Sequence, residues 1–223
     1  MDFMKWLNSL DELLYEVMSW LIFFPLTLWR SVRRPMQMMR YADLQLRLPD
    51  DEQYADGLSP PLFLTLSLLI AHLAAVALGE VDMILANRHG LAAMITDDTS
   101  ALVLRVLTFS LFPLLLSVRL VRKRGLPLER KTLRLPFYAQ CYPTAVFALG
   151  LGLGTALSRL ADPVARWGGA AFFCAAILYY LEVERRWFAD QLGVSRIRAL
   201  GHAAAGLIEG FLLMLLAGWL FSR

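Results

Sequence analysis

Leu200-Gly201-His202-Ala203-Ala204-Ala205-Gly206-Leu207-Ile208-Glu209-Gly210-Phe211-Leu212-Leu213-Met214-Leu215-Leu216-Ala217-Gly218-Trp219-Leu220-Phe221 carries one acid and one histidine among apolar or small residues. About 20 such residues wound as a helix cross the hydrocarbon of a bilayer. Backbone groups find no water there, so a lone apolar stretch must be helical, and it lacks the alternation of a barrel strand. Working outward, four more stretches read the same way: 167–181, 137–158, 101–118 and 62–78. The stretch 167–181 is short and needs snorkelling end charges or local thinning. The expected fold is an all-α integral membrane protein with about five transmembrane helices. Residues 62–223 form that membrane domain, and residues 1–61 precede it as a cytoplasmic region.

Composition agrees. The chain is 58% hydrophobic and 18% charged, against about 45–50% and 25% in soluble domains. The net charge is +3, but the basic residues are dispersed among apolar runs. A nucleic-acid binder gathers them on one solvated face, so no nucleic-acid partner is expected. Cys141 and Cys174 lie inside apolar runs and read as small buried hydrophobes. His72, His89 and His202 are far apart, and no Cys-x-x-Cys is present. No metal site and no cofactor are expected. The start, Met1-Asp2-Phe3-Met4-Lys5-Trp6, does not read as a cleaved signal peptide.

Basic residues set the orientation, because cytoplasmic loops retain Lys and Arg. Residues 1–61 hold Lys5, Arg30, Arg33, Arg34, Arg40 and Arg47. The loop 119–136 holds Arg119, Arg122, Lys123, Arg124, Arg130, Lys131 and Arg134, and the loop 182–199 adds Arg185, Arg186, Arg196 and Arg198. The other side receives only Arg88, Arg159, Arg166 and Arg223. The expectation is a bacterial inner-membrane protein with its N-terminus cytoplasmic and its C-terminus periplasmic.

Phe3, Trp6, Leu7, Leu10, Leu13 and Leu14 recur at helical spacing, with Asp2, Asn8, Ser9, Asp11 and Glu12 opposite. This is an amphipathic helix suited to the membrane surface. The following apolar run is too short to span, and Pro25 is expected to interrupt it. Residues 13–29 therefore read as re-entrant or interfacial; the rival reading makes them a sixth span. Residues 49–61 form an acidic, turn-rich loop, and Ser59-Pro60 starts the first span with a cap and a first-turn proline.

Ionisable groups inside a membrane are functional candidates by default. Glu209 is close to mid-bilayer and shares a helical face with His202 and Gly206. His72 lies at similar depth, so a His72–Glu209 pair can carry a proton, coordinate a ligand, or simply fix helix register. Arg105 sits near the outer end of its span and reads as snorkelling, with a salt bridge to Glu209 or a lipid phosphate as the alternative. Gly206 with Gly210, and Gly150 with Gly154, are small-x-x-x-small pairs for close helix packing. The basic loop Arg119, Arg122, Lys123, Arg124, Arg130, Lys131 and Arg134 suits anionic lipid or an acidic partner, or serves topology alone. No Gly-x-Ser-x-Gly, His-Glu-x-x-His or phosphate loop occurs.

Two stretches carry a family resemblance: Phe137-Tyr138-Ala139-Gln140-Cys141-Tyr142-Pro143, and Leu192-Gly193-Val194-Ser195-Arg196-Ile197-Arg198-Ala199-Leu200. With five closely spaced spans behind an N-terminal region, the chain resembles the Yip family and its bacterial relatives, some labelled permease-like, over roughly residues 30–221. The eukaryotic Asp-Leu-Tyr-Gly-Pro signature is missing; Asp56-Gly57-Leu58-Ser59-Pro60-Pro61 stands roughly in its place. The resemblance implies the topology rather than an activity. The expected function is a non-enzymatic membrane scaffold or accessory subunit that meets membrane lipids, another membrane protein or a second copy through its basic cytoplasmic loop and N-terminal amphipathic segment. The alternative is a small transporter or permease component with a His72/Glu209 site. A third reading, a lipid-modifying enzyme, needs polar groups converging near Glu182, Glu184 and Arg185.

Overall fold

A computed structural model describes residues 2–50, 52–79 and 98–222. Among them the chain forms α1 (Asp2–Arg33), α2 (Pro35–Gln45), α3 (Pro60–Ala77), α4 (Asp98–Phe109), α5 (Leu111–Lys123), α6 (Arg130–Ser158), α7 (Pro163–Leu192) and α8 (Arg196–Ser222), and no strand. Five helical stretches are long and apolar enough to cross a membrane: α3, α4 with α5 (Thr99–Lys123), α6, α7 and α8. The protein is thus an all-α, multi-pass membrane protein.

Local chemistry sets the helix ends. Ser59 is the N-cap of α3 and Pro60 opens its first turn. Glu129 and Thr132 form a capping box at the start of α6, each side chain bonding to the other's backbone. Asp162 caps α7 by accepting from the Ala165 amide at 2.8 Å, and Gly193 ends it in the left-handed region at φ 62°. The second span breaks at Ser110. Pro113 is four residues beyond Phe109 and cannot donate to its carbonyl, which loosens the helix there.

Three spans are longer than their apolar cores suggest. α6 begins at Arg130 rather than 137, and α7 runs Pro163–Leu192 rather than 167–181. α8 begins at Arg196 rather than 200. Near α2 the extra turns are polar or aromatic: those of α6 and α7 pack on α2 and α8 packs on α7, while residues 163–166 lengthen α7 at the other end. Arg119, read as a loop residue, is within α5.

α6 is the central helix: fifteen of its residues are buried. α7 runs antiparallel to it, with Gly150 against Ala176, Gly154 against Phe173, and Phe147 stacked on Tyr180 at 4.5 Å. α3 runs parallel to α6, with Phe63 beside Tyr142 and Ala71 beside Gly152. α8 is antiparallel to α5, with Gly206 against Leu116 and Gly210 against Phe112. Phe112, Phe147, Tyr180 and Phe211 meet edge-on or stacked at one height. This alternation gathers residues 34–50, 52–59, 124–129 and 193–195 at one end of the bundle and residues 159–162 at the other.

α1 corrects one expectation: it continues through Pro25 without a break. It meets α3 through Phe24 and Phe63, 5.4 Å between rings, and α7 through Ser31, whose carbonyl accepts from the Tyr179 hydroxyl at 2.9 Å. Phe63 and Tyr179 are at nearly one height, since Phe63 neighbours Tyr142 and Tyr180 neighbours Thr144. α1 therefore crosses the bundle instead of running along it. It leaves Met18, Leu21, Ile22 and Trp29 exposed. The side chains of Phe3, Trp6, Leu7 and Leu10, and residues Arg88, His89 and Arg223, lie outside the described residues.

Candidate functional site

Glu209 and His72 do not pair. The Glu209 carboxylate instead takes the Arg119 guanidinium of α5. His72 Nδ1 is 2.7 Å from Arg105 Nη1 of α4. Helix azimuth explains the outcome: α3 packs on α6 and α4, whereas α8 packs on α7 and α5. Equal depth did not bring the two residues to one side. His202 stacks obliquely on Phe188, 5.9 Å between rings, a packing role on the α7–α8 seam.

The Arg119–Glu209 pair is on the outer wall of the bundle. Its side chains are 21% and 48% exposed, beside exposed Ile208 and Leu212. Glu209 adjoins Gly210, which packs on Phe112 in the aromatic layer. Glu209 is therefore set well along α8, among side chains suited to lipid, and Arg119 reaches it from the last turns of α5.

Of the remaining basic residues, Arg122 and Lys123 end α5 exposed, Arg124 bonds to Gln191, and Arg130 and Lys131 open α6 exposed. Arg134 places its guanidinium 5.7 Å from the Tyr138 ring centre. They share one end of the bundle with a polar layer under α2. There Tyr41 donates to Asp56 at 2.5 Å and Arg30 donates to the same carboxylate at 3.1 Å. These bonds hold the Asp56 carboxyl below its ordinary range, the Tyr41 bond being the larger influence. Burial and the same bond push the Tyr41 phenol up. Asp43 is pushed up to about 6 by burial, against the pull of Arg124 and Arg47. Arg40 bonds both carboxylate oxygens of Asp190 at 3.1 Å, tying α2 to α7.

The third reading finds no convergent set. Glu182 binds Arg185 at 2.6–2.7 Å and Arg186 at 2.6 Å on the outer side of α7. Glu184 turns the other way and is 0% exposed. It belongs to a buried polar group that the sequence reading did not assemble: Gln140 and Thr144 of α6 with Tyr180, Glu184 and Trp187 of α7. The Tyr180 and Thr144 hydroxyls are 3.2 Å apart. The Gln140 amide stands beside the Glu184 carboxyl. Neither amide atom, neither carboxylate oxygen, nor the Trp187 indole nitrogen reaches hydrogen-bonding geometry with protein. The missed signal was helical phase: positions 180, 184 and 187 share one face, and 182, 185 and 186 another.

No group of three or more His, Cys, Asp and Glu residues able to hold a metal occurs among the described residues. Compared with known proteins, the chain matches no family model, no curated protein and no solved structure.

Proposed function

We propose that the protein is a non-enzymatic membrane scaffold or accessory subunit whose α5–α8 wall binds a helix of another membrane protein. The observation that supports it is the Arg119–Glu209 pair on the outer wall, its Glu209 carboxylate exposed beside Ile208 and Leu212. Charged groups facing lipid deep in a bilayer are costly, and they are normally turned inward or covered. A partner helix with a hydroxyl or amide side chain covers this pair and completes its hydrogen bonds. α1 supplies the second attachment: it crosses the bundle, exposes Met18, Leu21, Ile22 and Trp29, and ends with Arg30 and Arg33. That arrangement suits the boundary between acyl chains and anionic head groups. The end carrying Arg122, Lys123, Arg130 and Lys131 is then cytoplasmic, in a bacterial inner membrane. Kinship with Yip-type proteins is part of the same proposal and rests on residues 137–143 and 192–200.

Proteoliposomes of the parent and of Glu209→Gln test the reading. A scaffold gives no pH-dependent flux in either protein, while the variant loses assembly with its partner, read by co-purification against the parent. A flux present in the parent and abolished in the variant establishes the transporter instead.

A further inference from the structure

We propose that Gln140, Thr144, Tyr180 and Glu184 form a binding site for one small monovalent cation, an alkali ion or a proton, between α6 and α7. The carboxylate of Glu184 is fully enclosed, and neither oxygen has a protein donor in hydrogen-bonding geometry, the Gln140 amide of α6 being its polar neighbour. An uncompensated buried charge costs several kcal/mol, so this position selects for a neutralising cation. Among the described residues no cationic side chain bears on Glu184. Three nearby guanidinium groups are engaged elsewhere: Arg40 on Asp190, Arg124 on Gln191 and Arg119 on Glu209. Glu182, Arg185 and Arg186 bind one another on the opposite face. The near groups are Tyr179 and Tyr180 on α7 itself, Gln140 and Cys141 on α6, and His202 of α8 beyond Phe188.

Beside the Gln140 and Trp187 nitrogens, the buried polar group of Glu184 contains oxygen donors. The Gln140 carbonyl oxygen is unpartnered, and the Thr144 and Tyr180 hydroxyls sit one turn along. Hard cations take such donors. Charge decides the valence: one carboxylate neutralises a monovalent ion and leaves a divalent one with a bare positive charge in a buried site. The position also touches the surface helix, because Tyr179, next to Tyr180, holds the Ser31 carbonyl of α1. A cation bound here bears on how α1 is seated.

The test is thermal unfolding of the whole protein in detergent, titrated with NaCl or KCl against choline chloride at equal ionic strength, at pH 5 to 8. The parent is expected to melt higher with rising sodium or potassium, saturably, and Glu184→Gln to lose that rise while Glu209→Gln keeps it. If protons are the cation, the parent shows no alkali effect. Its melting temperature then changes with pH in choline by a component that Glu184→Gln lacks and Glu209→Gln retains. Identical sodium, potassium and pH responses in the parent and Glu184→Gln overturn the site. Should Glu184→Gln fail to fold, Gln140→Leu is titrated in its place. A midpoint weakened about tenfold or more supports the site, and an unchanged midpoint overturns it. A failure here leaves the α5–α8 wall reading intact, since that reading depends on Glu209.

Discussion

Glu209 of α8 reaches across to Arg119 of α5, and the two charges form an ion pair on the outer wall of the helix bundle. Each residue is tolerable there only while the other is present. Glu209→Gln or Arg119→Gln alone should therefore destabilise the protein by about 1–2 kcal/mol, because each strands a charge in apolar surroundings. The double neutral variant should be closer to the parent than the sum of the singles. A thermodynamic cycle in bilayer nanodiscs reads this coupling. Additive losses would show that the two residues do not act as a pair.

Helix contact through glycine gives a second expectation. A methyl on Gly154 meets Phe173 backbone atoms at 2.8–2.9 Å, and backbone cannot step aside. Gly154→Ala should cost about 2–3 kcal/mol, in the upper part of the overpacking range. A methyl on Gly206 meets only the tip of the Leu116 side chain, which can change rotamer. Gly206→Ala should cost about 1 kcal/mol or less. Melting temperatures of the two variants in one detergent settle the order; equal losses would contradict the distinction between backbone and side-chain contact.

The spans were legible because a bilayer imposes a length that a run of apolar residues reports directly. The helix ends were not. Residues 130–136 and 182–192 are polar or mixed, yet they are helical because they pack on α2 and on one another. α2 itself, Pro35–Gln45, has little hydrophobic contrast and went unread; Met38, Met39 and Ala42 form its buried face. Partners were harder still. Depth along a span follows from residue number, but azimuth depends on which helices are neighbours. That is why His72 was paired on paper with Glu209 and is found with Arg105. Glu184 was grouped with its sequence neighbours Glu182 and Arg185, although the aromatic face of Tyr180 and Trp187 already marked its direction.

At the α2 end of the bundle, Tyr41 and Arg30 converge on Asp56 and pin the loop before α3 to α1 and α2. Tyr41→Phe should cost about 1 kcal/mol, the usual net worth of such a bond with a charged acceptor partly open to water. The sign of its pH dependence follows from Asp56, whose carboxyl is held below its ordinary value of 3.8. The stabilisation is fully present above that value and is lost as pH falls below it toward the folded value. Unfolding of parent and Tyr41→Phe at pH 7 and near pH 3 should converge at the lower pH. A gap that persists undiminished would assign the effect to packing against Tyr54.

Asp43 works in the opposite sense. Burial pushes its folded value up to about 6 from 3.8, with Arg124 and Arg47 opposing. The folded protein therefore keeps this proton over a range where the unfolded chain has released it. Stability is highest below about pH 4 on this account, and it declines as pH rises through the window from 4 to 6. With solvent screening of this part-exposed carboxyl, the shift corresponds to about 1–2 kcal/mol between the ends of that window. Asp43→Asn has no proton to lose, so its stability should stay level across the window and exceed that of the parent at pH 7. The measurement is the midpoint of thermal or denaturant unfolding at half-unit steps from pH 4 to 7. A parent curve that rises through this window relative to Asp43→Asn would mean that Arg124 and Arg47 outweigh burial and hold the carboxylate charged.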